Sequence, residues 1–68
     1  MNAESVNWKA SLKDRVVYHP RDEKSNLRGR TAIVVDRDLT AGMPMYLIEF
    51  LGDEVQEWAL ADEITSAN

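Results

Sequence analysis

The sequence contains no cysteine and only one histidine among its 68 residues. The absence of cysteine excludes disulfides and thiolate metal sites, and one histidine cannot supply a set of imidazole ligands for a transition metal. No apolar run approaches the roughly 20 residues that a membrane-spanning helix needs, and the N-terminus lacks the basic-then-apolar pattern of a secretory signal. We therefore expect no cofactor, no metal, no membrane association and a cytoplasmic location.

Aromatic residues are also few, with one Phe, two Tyr and two Trp. A chain of this length forms a single domain and needs most of its large apolar side chains for one core. This scarcity argues against a surface cluster of aromatics of the kind that binds proline-rich peptides. The short length of the chain argues against a deep catalytic cleft within one copy, because one core already uses most of the chain. Small domains that lack disulfides and structural metals often gain stability by oligomerising, so the oligomeric state is left open.

The charge balance is acidic, because eight Lys and Arg face twelve Asp and Glu, which gives a net charge of −4. Proteins that bind duplexes usually gather positive charge to replace phosphate counterions, so this balance counts against general nucleic-acid binding. The charges are uneven along the chain. Lys24, Arg28 and Arg30 surround Gly29, whereas the C-terminal third carries mostly carboxylates. The sequence therefore leaves open a local basic patch on an acidic molecule.

From residue 13 onward the pattern is typical of an all-β protein. Five β-prone runs are separated by turn residues and lie at 15–18, 30–36, 45–51, 54–59 and 63–65. Gly52-Asp53 indicates a two-residue hairpin turn, and residues 60–62 suit one short 3-10 turn. We predict a five-stranded, partly open barrel over residues 13–66. A flexible N-terminal arm, residues 1–12, precedes it, with Trp8 positioned to dock on the barrel.

The expected core follows from the alternation of apolar and polar residues along these strands. It consists of Val16, Ala32, Val34, Tyr46, Ile48, Phe50, Trp58, Leu60 and Ile64. Trp58 is predicted to be the inward anchor of the fourth strand. The segment Arg37 to Pro44 is predicted to be a loop, because it contains Asp38, Gly42 and Pro44.

Three features together resemble the SH3-like barrels. They are the first strand that begins Asp14-Arg15-Val16, the glycine-led second strand from Gly29 to Val35, and the ending from Trp58 to Ile64. The resemblance covers about residues 12–65 and implies recognition through the loops of the barrel.

The ending from Trp58 to Ile64 is similar to that of the small stromal-side peripheral subunit of photosystem I. That family ends in Phe-Ala-Leu-Asp-Glu-Leu, which this chain matches in character apart from the inserted Ala61. The resemblance implies a non-catalytic docking protein whose loops hold neighbouring subunits and ferredoxin.

A second resemblance, to plasmid-borne type II dihydrofolate reductase, rests on Val55-Gln56-Glu57-Trp58, where that family has Val-Gln-Ile-Tyr. It implies a tetramer whose central pore holds folate and NADPH. Only Gln56 carries over unchanged among the pore residues, since Trp58 replaces the tyrosine and Glu57 the isoleucine. Four copies of Glu57 around a narrow pore would repel one another and the phosphates of NADPH. Because this repulsion counts against a reductase, we keep an NADPH-dependent tetramer only as the second alternative function.

The predicted contact surface lies in two loops, residues 21–30 and 38–45, expected to meet at the rim of the barrel. The predicted partner-binding residues are Arg21, Lys24, Arg28, Arg30, Asp38, Met43 and Met45. Methionine is included because its flexible side chain adapts to protein surfaces. We predict a non-catalytic protein-docking or accessory module with a protein partner. The first alternative is a nucleic-acid or ribosome-associated module that uses Arg28 and Arg30.

No catalytic, cofactor-binding or metal-binding residue is predicted. His19 lacks a nucleophile and an orienting partner that would complete a catalytic set, so we expect a surface histidine. The many carboxylates of the second half are expected to form a solvated acidic face that attracts a basic partner.

Overall fold

The computed structural model describes residues 7–67, which form one antiparallel β-sheet of five strands. The strands are β1 (Arg15–Tyr18), β2 (Thr31–Thr40), β3 (Met43–Phe50), β4 (Gln56–Leu60) and β5 (Ile64–Ser66). A 3-10 turn, Ala61–Glu63, connects β4 to β5. The order in the sheet is β4-β3-β2-β1-β5, and β4 and β5 do not pair with each other. The prediction of an all-β, five-stranded, partly open barrel with one short 3-10 turn is confirmed.

One face of the curled sheet supplies the hydrophobic core. The buried side chains of the core from the strands are Val16, Tyr18, Ala32, Val34, Tyr46, Ile48, Phe50, Ala59 and Ile64, and Ala10 joins them from the segment before β1. They follow the two-residue period of each strand, as Tyr46, Ile48 and Phe50 show along β3. The rings of Tyr18 and Phe50 meet edge to face, with their centroids 5.4 Å apart. Burial of the predicted residues Val16, Ala32, Val34, Tyr46, Ile48, Phe50 and Ile64 is confirmed.

The prediction that Trp58 anchors the core is wrong, because its residue is 45% exposed. Residues that face each other across antiparallel strands point to the same side of the sheet. Trp58 lies opposite the outward-facing Leu47, and the small Ala59 lies opposite the buried Tyr46. Ala59 therefore takes the core position of β4, and Leu60 is only half-buried.

The predicted loop between the second and third strands is also wrong, since β2 continues to Thr40 and β3 begins at Met43. Ala41 and Gly42 alone join the two strands, with φ angles of 52° and 80°. Two consecutive residues with positive φ are typical of the type I′ turn, whose twist matches that of the flanking strands. Asp38, Met43 and Met45 are therefore strand residues rather than loop residues.

The segment before β1 packs over one end of the barrel. The Trp8 ring meets Tyr46 edge to face at 5.8 Å between centroids, and the Arg37 guanidinium lies over the Trp8 ring, 4.7 Å from its centroid. The backbone N–H of Lys9 donates to the Tyr46 hydroxyl oxygen at 2.7 Å, and Ala10 is buried. Trp8 thus docks on the barrel. The predicted flexibility of residues 1–12 stays a prediction, and residues 1–6 lie outside the described part.

Candidate functional site

Four basic residues were predicted to contact a partner, and the side chains of three of them, Arg21, Arg28 and Arg30, bind other groups of the same chain. Arg21 pairs with Asp62 at 2.5 Å, and the hydrogen bond and charge of that carboxylate raise the pKa of Arg21. Arg28 donates to the carbonyl oxygen of Pro20 at 2.5 Å. Lys24 is exposed in the same loop, where its backbone N–H donates to Asp22 Oδ1 at 3.0 Å.

Arg30 connects the start of β2 to the far end of the β3–β4 hairpin. Its guanidinium pairs with Asp53 at 2.6 Å, donates to the Leu51 carbonyl oxygen at 3.2 Å and lies 5.6 Å from the centroid of the Phe50 ring. These contacts give Arg30 a structural role. Arg21 and Arg30 are each paired with a carboxylate, whereas Lys24 and Arg28 are exposed and make no ion pair within the described residues.

The predicted residues Met43, Met45 and Asp38 lie together on the outer face of β2, β3 and β4. Each stands opposite a strand neighbour on that face: Met43 opposite Thr40, and Met45 between Asp38 and Leu60. The next row contains Asp36, Leu47 and Trp58. A β-bulge between Val34 and Asp36 adds Val35 to the exposed residues of this region.

This arrangement creates a continuous apolar surface outside the core, which we call the outer patch. It consists of Val35, Met43, Met45, Leu47, Trp58 and Leu60. Met43 is 48% exposed, Trp58 45% and Val35 40%, and the other three residues are half-buried. Isolated exposed apolar residues are normal, but a contiguous apolar patch is characteristic of an interaction site.

Two shallow depressions shape the outer patch. Asp38, Thr40, Met45 and Trp58 line the first, so an aspartate and a threonine border the tryptophan and methionine side chains. The second adjoins it at the start of β3, where Met43, Pro44 and Leu60 meet the ion pair of Arg21 and Asp62. A side chain that entered either depression would contact apolar surface with a polar group at its margin.

The polar residues among the outer patch are acidic. Asp36, Asp38 and Glu49 occupy outward positions of β2 and β3, and none of the outward positions in β2, β3 and β4 carries Lys or Arg. Glu49 accepts a hydrogen bond from the side chain of Gln56 at 2.9 Å. The patch therefore favours a partner that combines apolar and positively charged side chains.

The described residues that could serve catalysis or metal binding do not form a cluster. His19 is exposed, and its Nε2 lies 3.0 Å from the Thr65 hydroxyl oxygen. Within residues 7–67, no three His, Asp or Glu side chains come together as metal ligands would. No helix in that part of the chain is long and apolar enough to cross a membrane.

Trp58, which the sequence prediction placed in the core, lies at the β4 edge of the outer patch, opposite Leu47. A signal for its orientation was present in the sequence. A turn at Gly52-Asp53 sets Leu51 opposite Glu54, and counting outward from that pair sets Leu47 opposite Trp58. The strand register of the structure is the one this count gives. The large size of tryptophan favoured the core in the prediction, although the count places it outside.

Comparison with known proteins does not identify a family for this chain. No protein-family model, no curated protein and no solved structure matches the chain. The resemblances to the photosystem I subunit and to type II dihydrofolate reductase therefore receive no support from these comparisons. What the structure establishes is the small all-β fold of five antiparallel strands, compatible with an SH3-like barrel.

Proposed function

We propose that this protein is a non-catalytic docking module that binds a protein partner through the outer patch. The observation that carries the proposal is the exposure of Trp58 among Met43, Met45 and Leu47 on one face of the sheet. Tryptophan is enriched among the residues that dominate binding energy at interfaces. Methionine is enriched at interfaces and adapts to the shape of its partner.

The position of the patch also supports a docking role. β2, β3 and β4 are joined by short connections and share one hydrogen-bonded sheet, so their outward side chains are held on a rigid support. A rigid surface loses little conformational freedom when a partner binds. The loop residues predicted from the sequence, Arg21 and Lys24, belong to the proposal only at its margin, since Arg21 borders the second depression.

The proposal is tested by comparing two matched substitutions, Trp58→Ser in the outer patch and Leu39→Ser outside it. Leu39 is 44% exposed on the same hairpin, but it pairs with Pro44 and so points to the opposite face. Protein captured from the source cell by the wild-type chain is purified, and its affinity for each variant is measured by calorimetry. Loss of an interface tryptophan should weaken binding roughly 30-fold, and Leu39→Ser should leave it within about threefold.

Two results would contradict this function. One is a partner that binds the Trp58→Ser variant as tightly as the wild type, because the outer patch would then not be its contact surface. The other is the absence of any captured protein that distinguishes the two variants.

A further inference from the structure

The β4 strand has one edge that no other strand of the described sheet covers. It is the last strand at one side of the order β4-β3-β2-β1-β5. The opposite side ends in β5, which has three residues, whereas β4 has five. Proteins usually protect edge strands with lysine, proline, bulges, inward-pointing charges or very short length. The sequence of β4, Gln-Glu-Trp-Ala-Leu, contains neither lysine nor proline. Its one charged residue, Glu57, lies opposite the buried Ile48 and disfavours an added strand unless that strand brings a positive charge to it.

Two hydrogen bonds show which backbone groups of β4 face this open edge. The Val55 carbonyl oxygen accepts from the Phe50 N–H at 2.9 Å, so Val55 directs its backbone groups toward β3. The Leu60 N–H instead donates to Glu63 Oε1 at 3.0 Å, away from β3. Because successive residues of a strand direct these groups to alternate sides, Gln56 and Trp58 direct their N–H and C=O groups to the open edge. Within residues 7–67, the backbone N–H groups of Gln56 and Trp58 donate no hydrogen bond to a turn, a loop or another segment.

The side chains beside this edge differ between the two faces of the sheet. Gln56, Trp58 and Leu60 are outward, in line with the outer patch. Glu57 points to the other side, is exposed, and makes no hydrogen bond or ion pair within the described residues. A strand that paired with β4 would therefore meet apolar surface at one set of alternate positions and an unpaired carboxylate at the other set.

The part of the chain that contains β4 is strongly acidic. Residues 38–68 contain no Lys or Arg, and their seven carboxylate residues are Asp38, Glu49, Asp53, Glu54, Glu57, Asp62 and Glu63. Arginines pair with two of them, Asp53 and Asp62. A positively charged partner is attracted to this half of the molecule.

We propose that the open edge of β4 binds an extended segment of a protein partner by β-strand addition, with Lys or Arg alternating with apolar residues along that segment. The apolar residues pack on Trp58 and Leu60, and the cationic residues meet Glu57. The backbone of the segment bonds to Gln56 and Trp58, as in other complexes in which a peptide extends a sheet. This inference rests on the proposed docking function and specifies its partner and its mode of binding.

A second copy of the chain is a poorer occupant of the same edge. Antiparallel pairing of β4 with its own copy would bring the two Glu57 carboxylates within a few residues of each other across the new ladder, where like charges are unfavourable. Each copy also has a net charge of −4, so the two copies repel one another. Charge complementarity therefore selects a basic partner over self-association.

The test begins by selecting peptides that bind the 68-residue chain from a random ten-residue display library. The proposal predicts that the selected sequences alternate basic and apolar residues. A selected peptide is then synthesised with one backbone amide N-methylated at each position in turn. Because only alternate amides of an added strand face β4, methylation should weaken binding about tenfold at every second position and have little effect between them.

Two charge variants with the same change in net charge provide the matched control. Glu57→Lys should weaken binding of the selected peptide by about tenfold or more, and an analogue with Glu at its basic positions should regain part of the lost affinity. Glu23→Lys, in the loop between β1 and β2, should change the affinity by less than about threefold, because the long-range charge effect is small and screened by salt.

The outcomes separate this inference from the docking function. Peptides that shift the Trp58 indole resonance but show no alternation on N-methylation overturn strand addition and leave docking through the outer patch in place. Peptides that bind without shifting Trp58, or a selection that yields none, overturn both. Backbone resonances of residues 56–60 that move with protein concentration alone would identify a second copy as the occupant and overturn the basic partner.

Discussion

The large aromatic side chains divide between the two faces of the sheet according to strand register. Phe50 is 1% exposed and Trp58 is 45% exposed, although both lie on the β3–β4 hairpin. Phe50 shares its face with Tyr46 and Ile48, whereas Trp58 lies opposite Leu47 on the other face. Exposing a tryptophan forgoes favourable burial. We propose that a partner covers it.

The different environments of Phe50 and Trp58 predict different effects on stability. Phe50→Ala removes a fully buried ring and should lower the free energy of unfolding by about 3–5 kcal/mol, enough to unfold so small a domain. Trp58→Ala should lower it by about 1 kcal/mol or less, because the side chain already contacts water. Urea titration of both variants checks this. A Trp58→Ala protein that fails to fold would show that the tryptophan belongs to the core.

Tyr18 predicts a pH effect on stability. Burial raises the pKa of its phenol above the usual 10.0, and the negative charges of Glu63, Glu57 and Asp22 raise it further. The unfolded chain therefore loses the Tyr18 proton at lower pH than the native protein does. The stabilisation from this group is complete below about pH 10 and is lost as the pH rises through the native pKa.

The measurement compares urea midpoints of the wild type and Tyr18→Phe across alkaline pH. Other titrating groups are common to both proteins and cancel in the comparison. The midpoint of the wild type should fall more steeply above pH 10 than that of Tyr18→Phe, because phenylalanine has no proton to lose. Parallel curves would show that the Tyr18 phenol titrates equally in both states.

At the scale of the elements, the β2–β3 hairpin positions most of the outer patch. Its two strands run to Thr40 and from Met43, so that Asp38 and Met45 face each other in the ladder. The turn between them places Ala41 at a φ of 52°, a conformation that costs a non-glycine residue about 1 kcal/mol. Asparagine and glycine are the residues that type I′ turns prefer.

This turn predicts opposite effects for two substitutions at one exposed position. Ala41→Asn should raise the free energy of unfolding by about 0.5–1 kcal/mol, because asparagine tolerates positive φ better than alanine. Ala41→Val should lower it by about 1 kcal/mol or more, because a β-branched residue is strongly disfavoured there. Urea unfolding of both variants gives the comparison. A valine variant as stable as the asparagine variant would contradict the turn geometry.

The local patterns of the sequence predicted the strands better than the connections. β1 matches its predicted bounds, and the alternation around Ile48 correctly gave the inward face of β3. The β2–β3 turn was missed because Ala41-Gly42 lacks the usual asparagine and because Asp38, Gly42 and Pro44 together suggested a longer loop. The bulge between Val34 and Asp36 depends on pairing with β3, a tertiary contact that the residues of β2 alone do not reveal.

The candidate site was predictable only in part, for a similar reason. Met43, Met45 and Asp38 were identified from residue type, and they do lie together on the outer face. Arg30 was assigned to the same surface, but its partner Asp53 is 23 positions away in the chain and pairs with it only after folding. Long-range pairing of this kind decides whether an arginine is free to bind a partner.

At the scale of the whole molecule, the two halves of the chain carry opposite charge. Every Lys and Arg lies at or before Arg37, and the chain beyond it contains carboxylates alone among its charged side chains. The pairs Arg21–Asp62 and Arg30–Asp53 join the halves across the fold. The acidic half contains β3 and β4, which contribute most of the outer patch, so apolar contact and charge attraction act on the same partner surface.

The most direct measurement uses the two tryptophans as internal reporters. Protein labelled with 5-fluorotryptophan gives one 19F resonance for Trp58 and one for Trp8, assigned with Trp8→Phe. On titration with a basic-apolar peptide selected on the protein, the Trp58 resonance should shift and the Trp8 resonance should stay in place. A shift at Trp8 alone, or at neither position while the peptide binds, would contradict docking through the outer patch.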